Sequence, residues 1–158
     1  MNNQNPLVEV LGNIPFAACP LEGVATAGQP SATAWPELAS AGYHTVVDLR
    51  MPDEARDQDE PASVRAAGLE YVSLPVSQPT LDAATFDSFR ELMRDPARRP
   101  IFVHCATSNR VGALLLPYFA LDEGMPVADA LQLARDAGLR NPELAQLAID
   151  YARRNGAR

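Results

Sequence analysis

The apolar positions alternate between two rhythms along the chain. "HTVVDLR" (44–50) and "LEYVSLPV" (69–76) are short, rich in β-branched residues and preceded by Gly42 and Gly68, which predicts strands. "RPIFVHC" (99–105) is a continuous apolar run, the pattern of a strand buried on both faces. Elsewhere the period lengthens to that of a helix. Pro36 is tolerated only in a first turn, so a helix is expected to begin near Thr33 and to end by Gly42. A short helix, "PASVRAAG" (61–68), has proline at its start and glycine at its end. Phe86, Phe89 and Met93 share one face of 81–94. Val127, Ala130, Leu131, Ala134 and Ala137 recur at helical spacing and stop at Gly138. Asn141 and Pro142 form a cap and first position for a last helix carrying Leu144, Leu147, Ala148 and Tyr151. Residues 110–121 are apolar nearly all round and predict a central buried helix, kinked at Pro117.

Alternating strands and helices define an α/β fold with a central, mostly parallel sheet flanked by helices. The 158 residues suffice for one core, so a single domain over 1–158 is expected, with 1–23 as an N-terminal extension. Ligands in such sheets bind at the carboxyl ends of strands, and Cys105 sits at one of them.

Composition narrows the partners. A formal charge of −7 and a pI of 4.7 argue against non-specific binding to nucleic acid or anionic membrane. "ALLLPYFAL" (113–121) is far short of the roughly 18–20 apolar residues of a membrane span. The first residues lack a basic start, and Glu9 interrupts their apolar run, which makes a poor secretory signal. With only Cys19 and Cys105, no disulfide framework is expected, and a reducing cytoplasm is the natural compartment. Neither His44 nor His104 has a second ligand at metal spacing, and no glycine-rich nucleotide loop occurs. No metal and no cofactor are expected.

The chemistry concentrates in "VHCATSNRVG" (103–112). Successive N–H groups in a tight loop leading into a helix N-terminus form an anion cradle, and the helix dipole adds to it. A thiol in such a place has its thiolate form favoured. Cys105 is therefore expected as a nucleophile and Arg110 as the clamp for a phosphate-like group. His104 is expected to support the loop by hydrogen bonding. Cys19, in "FAACPLEG" (16–23), has no basic neighbour and is expected to be structural, as is His44. Trp35 reads as core packing or as a substrate rim.

"VHCATSNRVGALLL" (103–116) resembles the signature of the cysteine-dependent protein tyrosine and dual-specificity phosphatases. The resemblance is closest to the bacterial branch typified by the phosphatase-like domain of beta-lactamase-hydrolase-like proteins. "AGQPS" (27–31), "GYHTVVDLR" (42–50), "GLEYVSLPV" (68–76) and "EGMPVADALQLARDAGLR" (123–140) resemble segments of that branch in the same order. It extends over about 24–150. It implies the phosphatase fold, with Cys105 as nucleophile, Arg110 as phosphate-binding arginine and the amides of Ala106, Thr107, Ser108 and Asn109 as the cradle.

Three departures stand out. The superfamily's loop usually has five residues between cysteine and arginine; here there are four, and Ser108 stands nearest the usual glycine. Val111 follows the arginine where a serine or threonine is common. The usual general-acid aspartate has no counterpart near Ser77 and Gln78, and the first carboxylate beyond is Asp82. Asp82 is either that acid or a carboxylate in the first turn of the 81–94 helix. Asp53 and Glu54 are alternative acids, unless they belong to a solvated acidic loop with Asp57, Asp59 and Glu60. The leading expectation is hydrolysis of a phosphorylated substrate, protein or small molecule, through a phosphocysteine. Four residues between cysteine and arginine is also the spacing of rhodanese-type sulfurtransferases, so persulfide transfer on Cys105 is the first alternative. A catalytically weak anion-binding or regulatory module is the second.

Overall fold

The computed structural model describes residues 11–54 and 59–158. Residues 1–10 of the expected N-terminal extension and Asp57 lie outside the described residues. Five strands, β1 (Ala18–Leu21), β2 (Val24–Ala27), β3 (Thr45–Asp48), β4 (Glu70–Ser73) and β5 (Ile101–His104), form one sheet in the order β1-β2-β5-β3-β4. The β1–β2 pair is antiparallel and the other pairs are parallel. The helices are α1 (Ala34–Ser40), α2 (Glu60–Ala66), α3 (Ala83–Arg94), α4 (Asn109–Leu121), α5 (Val127–Asp136) and α6 (Pro142–Arg154), with a 3-10 turn at Pro96–Arg98. The α/β class and the mostly parallel sheet are as the patterning predicts.

The first hairpin escapes the patterning. β2 is "VATA", whose small residues carry little strand signal, yet all four are buried. Gly23, at φ +77, makes the turn from β1, a conformation that favours glycine.

The sheet separates two apolar layers. Val24, Val47, Ile101 and Val103 face α3–α6, while Ala25, Val46 and Phe102 face α1 and α2. This is the period-two alternation of a sheet covered on both sides. Trp35 is core rather than rim: it is 1% exposed and packs against Phe102 and His104, at 6.2 and 5.7 Å between ring centroids.

Helix α4 is the spine of the first layer, with ten consecutive buried residues from Val111 to Ala120. Its register against α5 depends on Gly112. A Cβ there would lie 2.7 Å from the Ala134 carbonyl oxygen and 2.9 Å from the Leu139 nitrogen, neither of which can swing away as a side chain could. At the opposite end of the packing, Ala27, Asp48, His104 and Ser73 stand level across β2, β3, β5 and β4. That row is the carboxyl edge of the parallel sheet, and the loops leaving it build the site.

Gly112→Ala is expected to lower stability by about 1–3 kcal/mol, the range for overpacking a filled interior. The midpoint of urea unfolding measures it, and an unchanged midpoint contradicts the close approach of α4 to α5.

Candidate active site

Cys105 is fully buried directly after β5, and its N–H donates to the Ala27 carbonyl at 3.4 Å. Ala106 and Thr107 are exposed, and the chain then reverses at Ser108 to enter α4. Ser108 has φ 65 and ψ 2, a left-handed conformation that costs a non-glycine residue about 1–2 kcal/mol. A buried hydrogen bond from its hydroxyl to the Ala137 carbonyl, at 2.6 Å, offsets that cost. The opposing residue is Gly138, at φ +116, where a Cβ would fall 2.7 Å from the Ser108 Cβ. Serine thus occupies the conformation for which this loop ordinarily uses glycine. Val111, after the arginine, is buried in the apolar layer and brings no hydroxyl to the loop.

Arg110, in the first turn of α4, turns back over the loop. It donates to the Val76 carbonyl at 2.9 Å and forms a two-pronged ion pair with Glu54, and Glu54 first, with the nearby Cys105 thiol after it, favours its charged form. Residues from β5, α4 and the loops after β3 and β4 therefore converge on one point. The Arg110 hydrogen bond holds the Glu54 carboxyl below its usual range against a smaller opposing effect of burial, and the Met51 N–H adds to it. Asp82 lies at the N-cap of α3, accepting from the Thr85 N–H and hydroxyl at 3.0 Å each. Those bonds depress its carboxyl pKa as well. Asp53 is exposed on the loop after β3.

A buried polar network lies beneath the loop. Glu60 Oε1 accepts from Gln29 Nε2 at 2.7 Å and from Arg50 at 3.1 Å, while Oε2 meets His104 Nε2 at 3.0 Å. The Arg50 guanidinium also makes two 3.0 Å bonds to the Asp48 carboxylate, which accepts as well from the Arg50 N–H at 3.0 Å and the Tyr71 hydroxyl at 2.7 Å. Asp48, Arg50, Glu60 and His104 are each at most 1% exposed. Burial pushes the Asp48 carboxyl up, but the Arg50 hydrogen bonds and the nearby His104 and Tyr71 outweigh it and leave the group well below its ordinary range.

The network reaches the loop from two sides. His104 adjoins Cys105, with Nδ1 3.5 Å from the Cys105 carbonyl oxygen, and the Gln29 N–H donates to the Ala106 carbonyl at 3.0 Å. Three of its members carry potential ligand atoms within 4.8 Å of one another, Asp48, Glu60 and His104. The Arg50 guanidinium already supplies the cation between the two carboxylates.

Glu60 corrects the sequence reading. Counted there with a solvated acidic loop, it begins α2 and is buried because Arg50, His104 and Gln29 all need its oxygens. The legible signal was "DLR" at the end of a buried strand: a charged pair in that position requires partners.

Outside the loop, Asn109 Oδ1 accepts from the N–H groups of Arg140 and Asn141 at 2.9 and 3.1 Å. The Arg140 guanidinium donates to the Thr107 carbonyl at 2.9 Å. Asn141 in turn donates to the Gln78 side chain at 3.1 Å. The turn between α5 and α6 thereby ties the Cys–Arg loop to the loop after β4.

A thiol and a guanidinium thus share one reversed loop at the carboxyl edge of a parallel sheet. Residues 23–150 match the family described as "DSP-PTPase phosphatase fused to NAD+ Kinase". The chain belongs to that family, and with it to the protein tyrosine and dual-specificity phosphatase-like enzymes. A beta-lactamase hydrolase-like protein of Agrobacterium fabrum is 29% identical over 121 residues, covering 74% of this chain and 28% of its own length. The chain thus spans about a quarter of the length of the curated relatives it matches. Among solved structures, the DUF442 protein of Shewanella putrefaciens superimposes with a TM-score of 0.78 at 24% identity, over 94% of this chain and 99% of that one. A variant of TpbA of P. aeruginosa, solved in complex with pTyr, gives 0.66 at 21% identity, over 92% and 90%. At these identities the likeness is one of fold.

Two outcomes follow for the buried network. Glu60→Ala leaves His104 Nε2 without its partner and Arg50 with Asp48 alone, and is expected to cost about 3–5 kcal/mol in chemical unfolding; a loss below about 1 kcal/mol contradicts the network's role. Asp48 has a depressed folded pKa, so its contribution is complete above its unfolded pKa and fades as pH falls through the folded one. Stability of the native protein should therefore drop below about pH 4, and Asp48→Asn should flatten that slope. Parallel slopes in the two proteins contradict it.

Proposed function

We propose that the chain hydrolyses phosphomonoesters through a phosphocysteine on Cys105. The observation that carries this is that Cys105, buried at the carboxyl end of β5, and Arg110, held by Glu54 and the Val76 carbonyl in the first turn of α4, belong to one reversed loop. In the first step the Cys105 thiolate forms a bond to phosphorus, and the ester oxygen leaves with the bonding electron pair. In the second, water attacks phosphorus, the S–P bond breaks, and the thiolate and inorganic phosphate are released. The guanidinium of Arg110 presents two N–H groups to the phosphoryl oxygens, and the amides of Ala106, Thr107, Ser108 and Asn109 complete the cradle. Glu54 holds that guanidinium in place before substrate arrives. His104 keeps the loop's first turn anchored to Glu60.

Protonation of the leaving group is the weak point of this machinery. Asp82 is committed to capping α3 and Glu54 to Arg110, and both carboxyls are held toward the ionised form. Neither is placed to give up a proton at neutral pH, so the enzyme favours leaving groups that depart as stable anions. The four-residue spacing favours persulfide transfer as a second reading, because sulfur transfer to an acceptor needs no acid. A reducing compartment such as the cytoplasm suits either chemistry, since both need the free thiolate.

Hydrolysis of p-nitrophenyl phosphate and sulfur transfer from thiosulfate to cyanide, measured on the native protein and on Cys105→Ser, separate the readings. Phosphatase activity abolished in the variant supports the proposal. Robust sulfur transfer with negligible hydrolysis overturns it, and silence in both assays with phosphate still bound points to an anion-binding module. Arg110→Lys should lower kcat about 10²–10³-fold, as for loss of an oxyanion donor. Asp82→Asn should leave the high-pH limb of the pH–rate profile unchanged; loss of that limb would make Asp82 the acid.

A further inference from the structure

An anion cradle needs the N–H groups of Ala106, Thr107 and Ser108 turned to one side, and the peptide carbonyls of the loop show what turns them. A trans peptide is planar, so the C=O of one residue and the N–H of the next point in opposite directions. The Cys105 carbonyl oxygen lies 3.5 Å from His104 Nδ1, and the Ala106 carbonyl accepts from the Gln29 N–H at 3.0 Å. The Thr107 carbonyl accepts from the Arg140 guanidinium at 2.9 Å. Three successive carbonyls are drawn to groups beyond the loop, which turns the three following N–H groups the other way. No described residue accepts a hydrogen bond from the N–H of Ala106, Thr107 or Ser108. Successive backbone donors in that state form an anion-binding concavity.

The third of these clamps acts where the backbone is strained. Ser108 stands at φ 65, whereas L-residues prefer negative φ. Rotating the peptide between Thr107 and Ser108 by about half a turn would return that φ to negative values. It would also carry the Thr107 oxygen into the cradle and point the Ser108 N–H away from it. Thr107 is exposed, which leaves it little packing to oppose the rotation. Arg140 opposes it instead. Its guanidinium also donates to the Gly138 carbonyl at 2.8 Å and lies 4.7 Å from the Phe16 ring centroid, while its backbone N–H donates to Asn109 Oδ1 at 2.9 Å. The donor that holds Thr107 is itself fixed from several sides.

We propose that Arg140 is a positioning residue for the cradle: by holding the Thr107 carbonyl outside the loop, it keeps the Ser108 N–H turned toward a bound phosphoryl group. It acts through one peptide plane. The inference rests on the phosphatase reading for the anion that the loop holds, and not on turnover.

Binding of inorganic phosphate to Cys105→Ser, followed by calorimetry, tests it. Adding Arg140→Ala should weaken binding about tenfold, the worth of one hydrogen bond to a charged group. Arg140→Met, which keeps an apolar stem but no donor, should match the alanine variant. The loss should persist in about 0.5 M sodium chloride, which screens a surface charge but does not reorient a peptide. Amide NMR locates the effect. At saturating phosphate the Ser108 N–H resonance should shift in Cys105→Ser but not once Arg140 is replaced, while that of Ala106 shifts in both.

Unchanged affinity overturns the proposal, as does Arg140→Met binding like its parent. So does a loss that salt abolishes, which would make Arg140 a plain surface charge, or a Ser108 response that survives the substitution. A native protein that hydrolyses no ester defeats the hydrolytic reading alone and leaves these measurements standing. Failure of Cys105→Ser to bind phosphate overturns the cradle, and this inference with it.

Discussion

The geometry of this site depends on a single carboxylate that is not expected to touch substrate. Glu60 accepts from Gln29, Arg50 and His104 with its two oxygens, and Glu60, Arg50 and His104 are all buried. Burying a carboxylate is costly unless each lone pair is used, so these partners fix one another's positions tightly. His104 leads directly into Cys105, and Gln29 binds the Ala106 carbonyl through its own backbone. The first turn of the loop is thereby pinned from β5 and from the end of β2 at once. Arg50, joined to Asp48 at the end of β3, carries the same constraint across the sheet.

Above that foundation the loop is built from compromises that preserve its shape. Ser108 takes a left-handed backbone and offsets the cost with a buried hydroxyl bond, while Gly138 leaves the space that this requires. Arg110 is oriented by Glu54 and by the Val76 carbonyl before any anion arrives. Preorganisation of this kind lowers the reorganisation needed in the transition state. It also commits Glu54, as capping α3 commits Asp82.

Much of this was legible in the sequence. Buried strands announce themselves by continuous apolar runs, as in "IFVH", and α4 by being apolar all round. Asn141 and Pro142 open α6 as their capping chemistry requires, with Asn141 accepting from Glu143 and Leu144. β1 and β2 were not legible, because "VATA" draws its burial from its neighbours rather than from its own hydrophobicity. In the site, the thiol–guanidinium spacing is a local property and could be read directly. The Glu60 network could not, since it joins residues 29, 50, 60 and 104 through contacts that only the folded sheet creates. Nor could the pairing of Glu54 with Arg110, which lies 56 residues further along. Nor could the brace of Arg140 on the Thr107 carbonyl, which stands 33 residues earlier.

The central claim is that Cys105 carries the phosphoryl group between two displacements, and rapid chemical quench followed by mass spectrometry of the intact and digested protein tests it most directly. With phenyl phosphate in excess, the account predicts a transient mass increase of one phosphoryl group, located on the peptide containing Cys105. Phosphate release with no such adduct, or with the adduct on another residue, would contradict it.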